Sequence, residues 1–519
     1  YSLIGLAWTG GAQKRFLRWQ RNTRLIRPRA EIGYRRTLRD SAMRYGRTSM
    51  VSFLSKVVMS LSGFAATIVL TRTLGREKYG TYVVVLSVLA WVAIAGNLGL
   101  GAAVRKRVSE ATEGNYIVAG LVGQVGLYVV VAVCLWFARP YLNAYMEIDA
   151  TLILILLLAV RLLGNYVQLV LDGQRLVHVS SILSPIEWTS RSVVQVALVL
   201  SGFGIAGAFV GYVVGAVVGI ALGAYFVTVD WSLPSQRDFR QLKSFAQFSW
   251  LADIKGRTFL SMDTLVLAVF VSNSLIAVYE VAWNLASLFA LFGSSISRTL
   301  FPEMSQISSA DGPSSEISEL LRVSLAYSGL FIIPGLVGSA IVGDVVLTIY
   351  GSGFQTGYYI LLVLTFARLL YGYQGQFLTT LDAVDRPDLT FRINAVFVAA
   401  NLVLNIGLTS QYGWYGAAAA TTVSAAIGLG LGYYYSSQII DVVVPVGVVV
   451  KQLFAAGVMA ITVYASRLLF GDSLPIVIVL VTVGASVYFT VLLTISPEFR
   501  TTVEENLPFG VPLLQTKST

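Results

Sequence analysis

The sequence of 519 residues contains a single cysteine, Cys134, and a single histidine, His178. One cysteine excludes an internal disulfide. Together the two residues supply no His/Cys cluster of the kind that binds zinc, so neither a metal centre nor another cofactor is predicted. A Ser-His-Asp triad would have to use His178, and no motif of such enzymes surrounds it. The chain is therefore not expected to be an enzyme.

Charged residues are also scarce. They make up 12% of the chain, whereas hydrophobic residues make up 56%, and the mean hydropathy is +0.73. A soluble domain normally contains about 25% charged residues. A chain this apolar needs lipid around it, so the sequence predicts a polytopic integral membrane protein.

The formal net charge of +10 comes entirely from residues 1–47. This segment holds twelve of the 37 Lys/Arg residues and two of the 27 Asp/Glu residues, so the rest of the chain is neutral. Such an arm would suit anionic headgroups or nucleic acid. The favoured interpretation is a disordered cytoplasmic tail that sets topology, with no nucleic-acid partner. Because the sequence begins at Tyr1, the N-terminus is expected to be incomplete or processed.

Long apolar runs dominate the rest of the chain. A membrane-spanning helix needs about 20 mostly apolar residues, and the runs predict an all-α membrane protein with about fourteen transmembrane helices. The predicted spans are 50–71, 81–103, 116–138, 150–171, 182–201, 205–228, 246–271, 274–300, 323–349, 357–380, 390–409, 414–436, 446–469 and 474–495.

Basic residues are distributed unevenly between the loops on the two sides. Thirteen Lys/Arg residues fall on one side and five on the other, even without the N-terminal arm. The positive-inside rule then predicts cytoplasmic termini for a multi-pass protein of the cytoplasmic membrane. The predicted parts are a basic arm (1–47), an N-lobe (48–228), a cytoplasmic linker (229–245), a C-lobe (246–436), two further spans (437–495) and a cytoplasmic tail (496–519).

The two lobes share a weak internal repeat. Leu171-Asp172 after span 4 recurs as Leu381-Asp382 after span 10, and Gly204 recurs as Gly413, at offsets of 210 and 209. Glycine-rich spans also resemble one another by chance, but a constant offset favours duplication. Each unit has six spans, an even number, so the two lobes enter the membrane from the same side. This predicts two parallel lobes around a central cavity, with spans 13 and 14 outside the repeat.

Ionisable side chains inside the spans are the candidates for function. Each costs about 2.5–3.5 kcal/mol at a helix centre, so they are expected to face protein or a hydrated cavity between the lobes. Six are basic and four acidic, which favours an anionic substrate, and arginine forks suit phosphate. The ten residues are Lys56, Arg161, Glu187, Arg191, Asp253, Lys255, Arg257, Asp263, Glu280 and Arg368.

Two i,i+4 pairs have a structural alternative. Glu187 with Arg191, and Asp253 with Arg257, would pair along one helix face and stabilise the helix. Arginines near the end of a span have a different structural explanation, because their guanidinium groups can extend toward the membrane interface. This second alternative applies to Arg161 and Arg368.

Four other charges are harder to explain structurally. Lys56 and Lys255 lie in the first span of each lobe and have no acidic partner at i±3 or i±4. Asp263 and Glu280 are isolated anions in spans 7 and 8, and both are candidates for coupling transport to Na⁺ or H⁺. Pairing of these anions with Lys255 or Lys56 is the alternative.

Four short motifs resemble the multidrug/oligosaccharidyl-lipid/polysaccharide exporter superfamily, in its polysaccharide-flippase branch. None is specific alone, but their order, spacing and fourteen-span frame cover about residues 48–495. They are Arg72-Thr-Leu-Gly75 with Tyr79-Gly80, Leu300-Phe-Pro302-Glu-Met-Ser305, Tyr350-Gly351-Ser-Gly-Phe354, and Leu381-Asp382 with Arg386-Pro387.

The resemblance implies a transporter that flips a lipid-linked, phosphate-bearing oligosaccharide or polysaccharide repeat unit across the membrane by alternating access of the two lobes. It implies a polyprenyl or dolichyl phosphate or pyrophosphate carrier, and basic cavity residues that bind it. The sequence departs from the best-known pattern because span 2 lacks an arginine. The predicted substrate-binding residues are Lys56, Arg161, Arg191, Lys255, Arg257, Arg298 and Arg368, and the predicted ion-coupling residues are Asp263 and Glu280.

Two other functions remain open from the sequence. A cation-coupled multidrug antiporter of the same superfamily would have twelve spans and a net acidic pocket, whereas this chain has two more spans and a net basic interior. A membrane-embedded glycan ligase or polymerase would need a sizeable extramembrane loop with catalytic acids. No predicted outer loop exceeds about fifteen residues.

Overall fold

A computed structural model of the chain describes residues 27–110, 114–310 and 312–506. Within these ranges the side chains of residues 27–58, 60, 247–261, 294, 298 and 502–506 are outside the described set. All of the regular structure in the described part is helical. The all-α prediction is thereby confirmed.

Eighteen helices follow one another in the described part, with a short π-helix at Val199–Phe203 and a 3-10 helix at Phe354–Gly357. They are α1 (Arg27–Asn97), α2 (Leu100–Ser109), α3 (Tyr116–Phe137), α4 (Arg139–Met146), α5 (Thr151–Gly173), α6 (Val177–Leu198), α7 (Gly204–Phe226), α8 (Gln236–Phe270), α9 (Asn273–Phe289), α10 (Leu291–Ser309), α11 (Ser314–Ser328), α12 (Ile332–Thr348), α13 (Tyr358–Ala383), α14 (Pro387–Tyr412), α15 (Trp414–Ser437), α16 (Val446–Phe470), α17 (Leu474–Ile495) and α18 (Pro497–Asn506).

The described helices accommodate the fourteen predicted spans. Nine stretches are long and apolar enough to cross a membrane, or ten with the bent pair α9 and α10. Two of the nine, Leu61–Asn97 and Val177–Phe226, hold 37 and 50 residues, too many for one crossing of about 30 Å, and break at Gly75 and Gly202. The predicted spans 7 and 10 lie within α8 and α13.

Backbone geometry repeats between the two halves. Gly204 has φ 55° and ψ −139°, and Gly413 has φ 57° and ψ −137°; each immediately precedes or begins a span. The turns after α5 and α13 also match, because Leu176 N–H donates to the Leu171 carbonyl as Arg386 N–H donates to the Leu381 carbonyl, both at 2.9 Å. These are the positions at which the sequence predicted a duplication.

The two ends of the helical bundle differ in how the halves meet. We call the end at which α1 turns at Gly75 the closed end, and the opposite end the split end. One hydrophobic core at the closed end combines both halves, including Leu89 and Leu158 from the first half and Tyr279 and Leu361 from the second. Tyrosines and leucines that are almost fully buried make this the main contact between the halves.

At the split end the described buried side chains form separate clusters. Val104, Tyr116 and Val170 belong to a cluster of the first half, which also includes or contacts Leu242, Phe245 and Ala246 of α8. Leu321 and Phe377 belong to a different cluster within the second half. Among the described side chains, the large core shared by several helices of both halves therefore lies at the closed end, whereas at the split end the first-half cluster includes residues of α8 alone from the second half.

Hydrogen bonds at the closed end also join the two halves. The Asn273 amide donates to Thr81 Oγ1 at 3.1 Å and to Glu147 Oε2 at 2.8 Å, and the Tyr145 hydroxyl donates to the Leu265 carbonyl at 2.6 Å. Gly80 permits this approach, because a Cβ there would lie 1.8 Å from the Asn273 carbonyl oxygen.

Two predicted boundaries differ from the observed helices. α1 begins at Arg27 and so includes residues 27–47 of the arm that was expected to be disordered; residues 1–26 lie outside the described part. α8 begins at Gln236, within the predicted linker, because Ser235 and Asp238 form a capping box. A capping box satisfies two backbone N–H groups that would otherwise lack partners, which explains the earlier start.

Replacing Gly80 with valine is expected to destabilise the protein. The added side chain would overlap the Asn273 backbone, and overpacking of this kind costs about 1–3 kcal/mol. Thermal unfolding in detergent measures the effect. Gly126→Val is the matched control, because Gly126 is exposed on α3 and a Cβ there meets nothing within 4 Å. Equal melting temperatures for the two variants would contradict the close contact at Gly80.

Candidate functional site

Two arginines of the first half meet at one tyrosine. Arg161 of α5 donates from Nη1 to the Tyr212 hydroxyl at 3.0 Å, and the Arg191 guanidinium of α6 lies 4.3 Å from the centre of the same ring. Both arginines are half-buried. The structure therefore brings together two of the seven predicted substrate-binding residues, and Arg161 does not extend alone toward the interface.

Aromatic and amide groups hold Arg191 in place. Its Nη2 donates to the Tyr82 hydroxyl at 2.7 Å, and its guanidinium also lies 4.6 Å from the Trp188 ring centre. Gln195 donates to the same Tyr82 hydroxyl at 2.7 Å. Glu187, the alternative i,i+4 partner, interacts electrostatically with Arg191, but the described hydrogen bond of Arg191 goes to Tyr82.

A second polar cluster lies in the second half, around Asp263. Its carboxylate accepts hydrogen bonds from the Tyr279 hydroxyl at 2.6 Å, the Thr421 hydroxyl at 2.7 Å and the Asn405 amide at 2.8 Å. The four residues come from α9, α15, α14 and α8, and all are buried. Asp263, expected to be an isolated anion, is thus surrounded by donors from three other helices.

The neutral partners of this cluster were missed from the sequence. Asn401, Asn405 and Thr409 are spaced four apart along one face of α14 and are buried. Asn405 also donates to Asn401 Oδ1 at 3.2 Å. This spacing of amides and a hydroxyl in an apolar span is the signal that would have found them.

Arg368 is buried beside the same cluster. It donates to the Ser287 hydroxyl, and its guanidinium lies 3.8 Å from the centre of the Trp283 ring. Arg368 interacts electrostatically with Asp263 and Glu280. Glu280 accepts a hydrogen bond from Asn284 at 3.3 Å. Arg368, Asp263 and Glu280 therefore lie in one region of the second half. Arg368 does not extend to the membrane interface.

The remaining predicted residues cannot be placed at side-chain level. Lys56 lies in α1, Lys255 and Arg257 in α8, and Arg298 in α10, and their side chains are outside the described set. The same holds for Asp253, so its predicted pairing with Arg257 stays a prediction. Among the described residues, no group of three His, Cys, Asp or Glu side chains could hold a metal ion.

The family of the chain follows from comparison with known proteins. Residues 46–308, about half of the chain, match the family model described as polysaccharide biosynthesis protein. The chain belongs to this family. The resemblance to a polysaccharide flippase of the multidrug/oligosaccharidyl-lipid/polysaccharide exporter superfamily is confirmed.

Two relatives from Haloferax volcanii match nearly the whole chain. The protein named "Probable flippase AglR" of Haloferax volcanii is 30% identical over 468 residues, which are 89% of this chain and 98% of the relative. The protein named "Probable low-salt glycan biosynthesis flippase Agl15" of the same organism is 26% identical over 477 residues, 91% of this chain and 100% of the relative.

Solved structures show the same fold. The lipid II flippase MurJ in an inward closed conformation has a TM-score of 0.74 at 15% identity, over 88% of this chain and 100% of MurJ. An inward-facing multidrug transporter of the superfamily has a TM-score of 0.54 at 15% identity, over 75% of this chain and 98% of that protein. The chain is a multi-pass membrane protein with this fold.

Removing one donor from Asp263 tests the second cluster. Thr421→Val keeps the shape of the side chain but deletes a hydrogen bond to the carboxylate, and it should lower the free energy of unfolding by about 1.5–3 kcal/mol. Denaturant unfolding in detergent measures the change. Thr422→Val is the matched control, because the Thr422 hydroxyl donates to backbone carbonyls of α15 and α13 only. Equal losses in both variants would contradict the role of Thr421.

Proposed function

We propose that this chain moves a lipid-linked, phosphate-bearing oligosaccharide or polysaccharide repeat unit across the cytoplasmic membrane by alternating access. Its membership in the family and the flippases among its relatives support the substrate class. We further propose a polyprenyl or dolichyl phosphate or pyrophosphate carrier and cytoplasmic N- and C-termini. The transport leaves the covalent structure of the substrate unchanged, so no catalytic residue is assigned.

The arginine pair at Tyr212 is the observation that supports the proposal most directly. A guanidinium has five N–H donors, and the described hydrogen bonds of Arg161 and Arg191 use one donor of each. Glu187 is the carboxylate that interacts with both, so the group carries a net charge of +1. Arginine forks bind phosphate oxygens through paired N–H groups. The pair therefore suits the phosphate of a carrier lipid.

Access to this pair would come from the split end. The described side chains at that end form small separate clusters, with α8 as the connection between the halves, whereas the closed end has one large shared core. With cytoplasmic termini, the split end lies on the cytoplasmic side, where the headgroup would enter. The lipid tail would stay in the bilayer. At the end of the cycle the two halves would separate at the closed end.

Asp263 and Glu280 are the proposed ion-coupling residues. Around Asp263 lie the oxygen atoms of Thr421 and Asn401, and carboxylate, amide and hydroxyl oxygens are ligands that hard cations accept. Na⁺ would displace the hydrogen bonds that Tyr279 and Asn405 donate to the carboxylate, whereas H⁺ would neutralise it. Either change alters how α8, α9, α14 and α15 are held together.

A multidrug antiporter is the alternative function. The fold is shared with such a transporter, so the fold does not separate the two. The distinction is in the charge: a cationic drug would be repelled by the two guanidinium groups at Tyr212. Binding of a cationic dye that Arg161 and Arg191 variants leave unchanged would favour the antiporter.

Transport by the double variant Arg161→Gln/Arg191→Gln tests the proposal. The purified chain is reconstituted with a panel of lipid-linked glycans, and the accessible fraction in each leaflet is followed over time. Each lost charge-assisted hydrogen bond to phosphate is worth about 1.5–3 kcal/mol, so the initial rate should fall at least about tenfold. The same assay under an imposed Na⁺ or pH gradient tests coupling, with Asp263→Asn expected to remove the response.

Arg139→Gln is the matched control for the double variant. Arg139 already forms an ion pair with Asp149 at 2.7 Å, outside the arginine pair, so its loss should leave the rate unchanged. Equal rates for wild type and the double variant, at equal expression, would overturn the assignment of the arginine pair. Wild-type protein that flips none of the lipid-linked glycans would overturn the function itself.

A further inference from the structure

A polar recess of about 570 Å³ lies at the closed end between the two halves. It is formed by the turn of α1 at Gly75 and by the turn between α12 and the 3-10 helix. Two of the four sequence motifs, Arg72-Thr-Leu-Gly75 and Tyr350-Gly351-Ser-Gly-Phe354, therefore meet here. Polar side chains in its lining are Thr71, Arg72, Arg76, Thr348, Ser352 and Gln355.

Arg72 and Arg76 cross from the first half to backbone carbonyls of the second. Arg72 Nε donates to the Ile349 carbonyl at 2.6 Å, and Arg76 Nη1 donates to the Gly353 carbonyl at 3.3 Å. No acidic side chain lines the recess. Because a backbone carbonyl is neutral, these contacts neutralise neither positive charge, and several N–H donors of each guanidinium are unused by the described contacts.

Other arginines at the closed end have carboxylate partners. Arg139 pairs with Asp149 at 2.7 Å, and Arg467 pairs with Asp472 at 2.6 Å. The hydrogen bond from Arg139 lowers the pKa of Asp149, and the hydrogen bond from Arg467 lowers the pKa of Asp472. Arg72 and Arg76 are the exceptions among these four arginines. Their neighbours Glu77 and Lys78 leave residues 72–78 with a net charge of +2.

The glycine at position 353 brings the Arg76 guanidinium directly over the turn. A Cβ at Gly353 would lie 2.7 Å from Arg76 Cζ and 2.9 Å from both Nη atoms. Gly353 also has φ 83°, a conformation that other residues rarely adopt. The turn is thus built to accept a guanidinium group at close range, which fixes where the charge is presented.

We propose that this recess binds a phosphate-class anion between Arg72 and Arg76. The site is distinct from the arginine pair at Tyr212, and it goes beyond the proposed transport function. An anion bound there would contact both halves and favour the closed end as described. The anion is either a free phosphate species or the phosphate of a lipid headgroup, since both offer the same oxygens to an arginine fork.

Two binding experiments on the full chain separate these sources. In a nonionic detergent, inorganic pyrophosphate is titrated and the melting temperature is followed, because a ligand that binds the folded state raises it. In lipid nanodiscs, melting temperatures are compared between phosphatidylcholine and mixtures with phosphatidylglycerol. A saturable rise in the first experiment identifies a free anion, and a rise in the second alone identifies a headgroup.

The variants locate the binding at the recess. Arg72→Gln/Arg76→Gln should weaken the response at least about tenfold, since two charge-assisted contacts are lost. Lys78→Gln is the matched control, because it removes one positive charge from the same turn but from a residue that does not line the recess. Arg76→Lys, which keeps the charge but not the fork, should weaken binding less than the double variant.

Two results would overturn the site. The first is wild-type protein that responds neither to pyrophosphate nor to anionic lipid. The second is an equal response of the wild type and the Arg72/Arg76 variant. Should the double variant fail to fold, the wild-type titration and the comparison of Arg76→Lys with Lys78→Gln decide the question, and equal responses of those two would reject it.

Discussion

The packing of the two halves against each other at the closed end is the contact on which the rest of the arrangement depends. It combines almost fully buried side chains from both halves in one core, with Gly80 directly against the backbone of Asn273. Hydrogen bonds from Asn273 and Tyr145 follow the same boundary. Because interiors pack closely and do not deform continuously, such a boundary either holds or parts as a unit. This gives alternating access a physical basis in the described residues.

Charge in an apolar environment is the second constraint. An ionised side chain within a span is stable only beside partners or water, and the two halves solve this differently. In the first half, Arg161 and Arg191 lie against tyrosines, which leaves N–H donors unused by the described contacts. In the second half, Asp263 is surrounded by neutral donors from three helices. The first arrangement suits an anionic substrate, and the second suits a site that responds to a cation.

Much of the architecture could be predicted from the sequence because it depends on local patterns. Long apolar runs indicated the helices, and the repeat of Leu171-Asp172 as Leu381-Asp382 marked turns whose hydrogen bonds prove to be the same. Charged residues inside the spans also indicated the candidate site residues, because burying a charge is costly unless it has a function or a partner. Arg161 and Arg368 each lie ten residues after the start of their helices, as corresponding positions should.

The partners of those charges could not be predicted in the same way. Tyr82, Tyr212 and Thr421 carry no charge, so nothing in an apolar span distinguishes them from packing residues. The choice of Arg191 between Glu187 and Tyr82 depends on how α6 packs against α1, which is a tertiary contact. The early start of α8 depended on a capping box at Ser235, which the hydrophobic pattern does not reveal.

Locking the closed end tests the central claim most directly. Thr81 and Asn273 are joined by a hydrogen bond of 3.1 Å across the boundary, so cysteines are placed at these positions in a Cys134→Ser background, and disulfide formation on oxidation is verified by gel mobility. Flipping of a lipid-linked glycan in reconstituted vesicles is measured before oxidation, after it, and after reduction. The account predicts that oxidation stops flipping and that reduction restores it. Cross-linked protein that flips as fast as the reduced protein would contradict it.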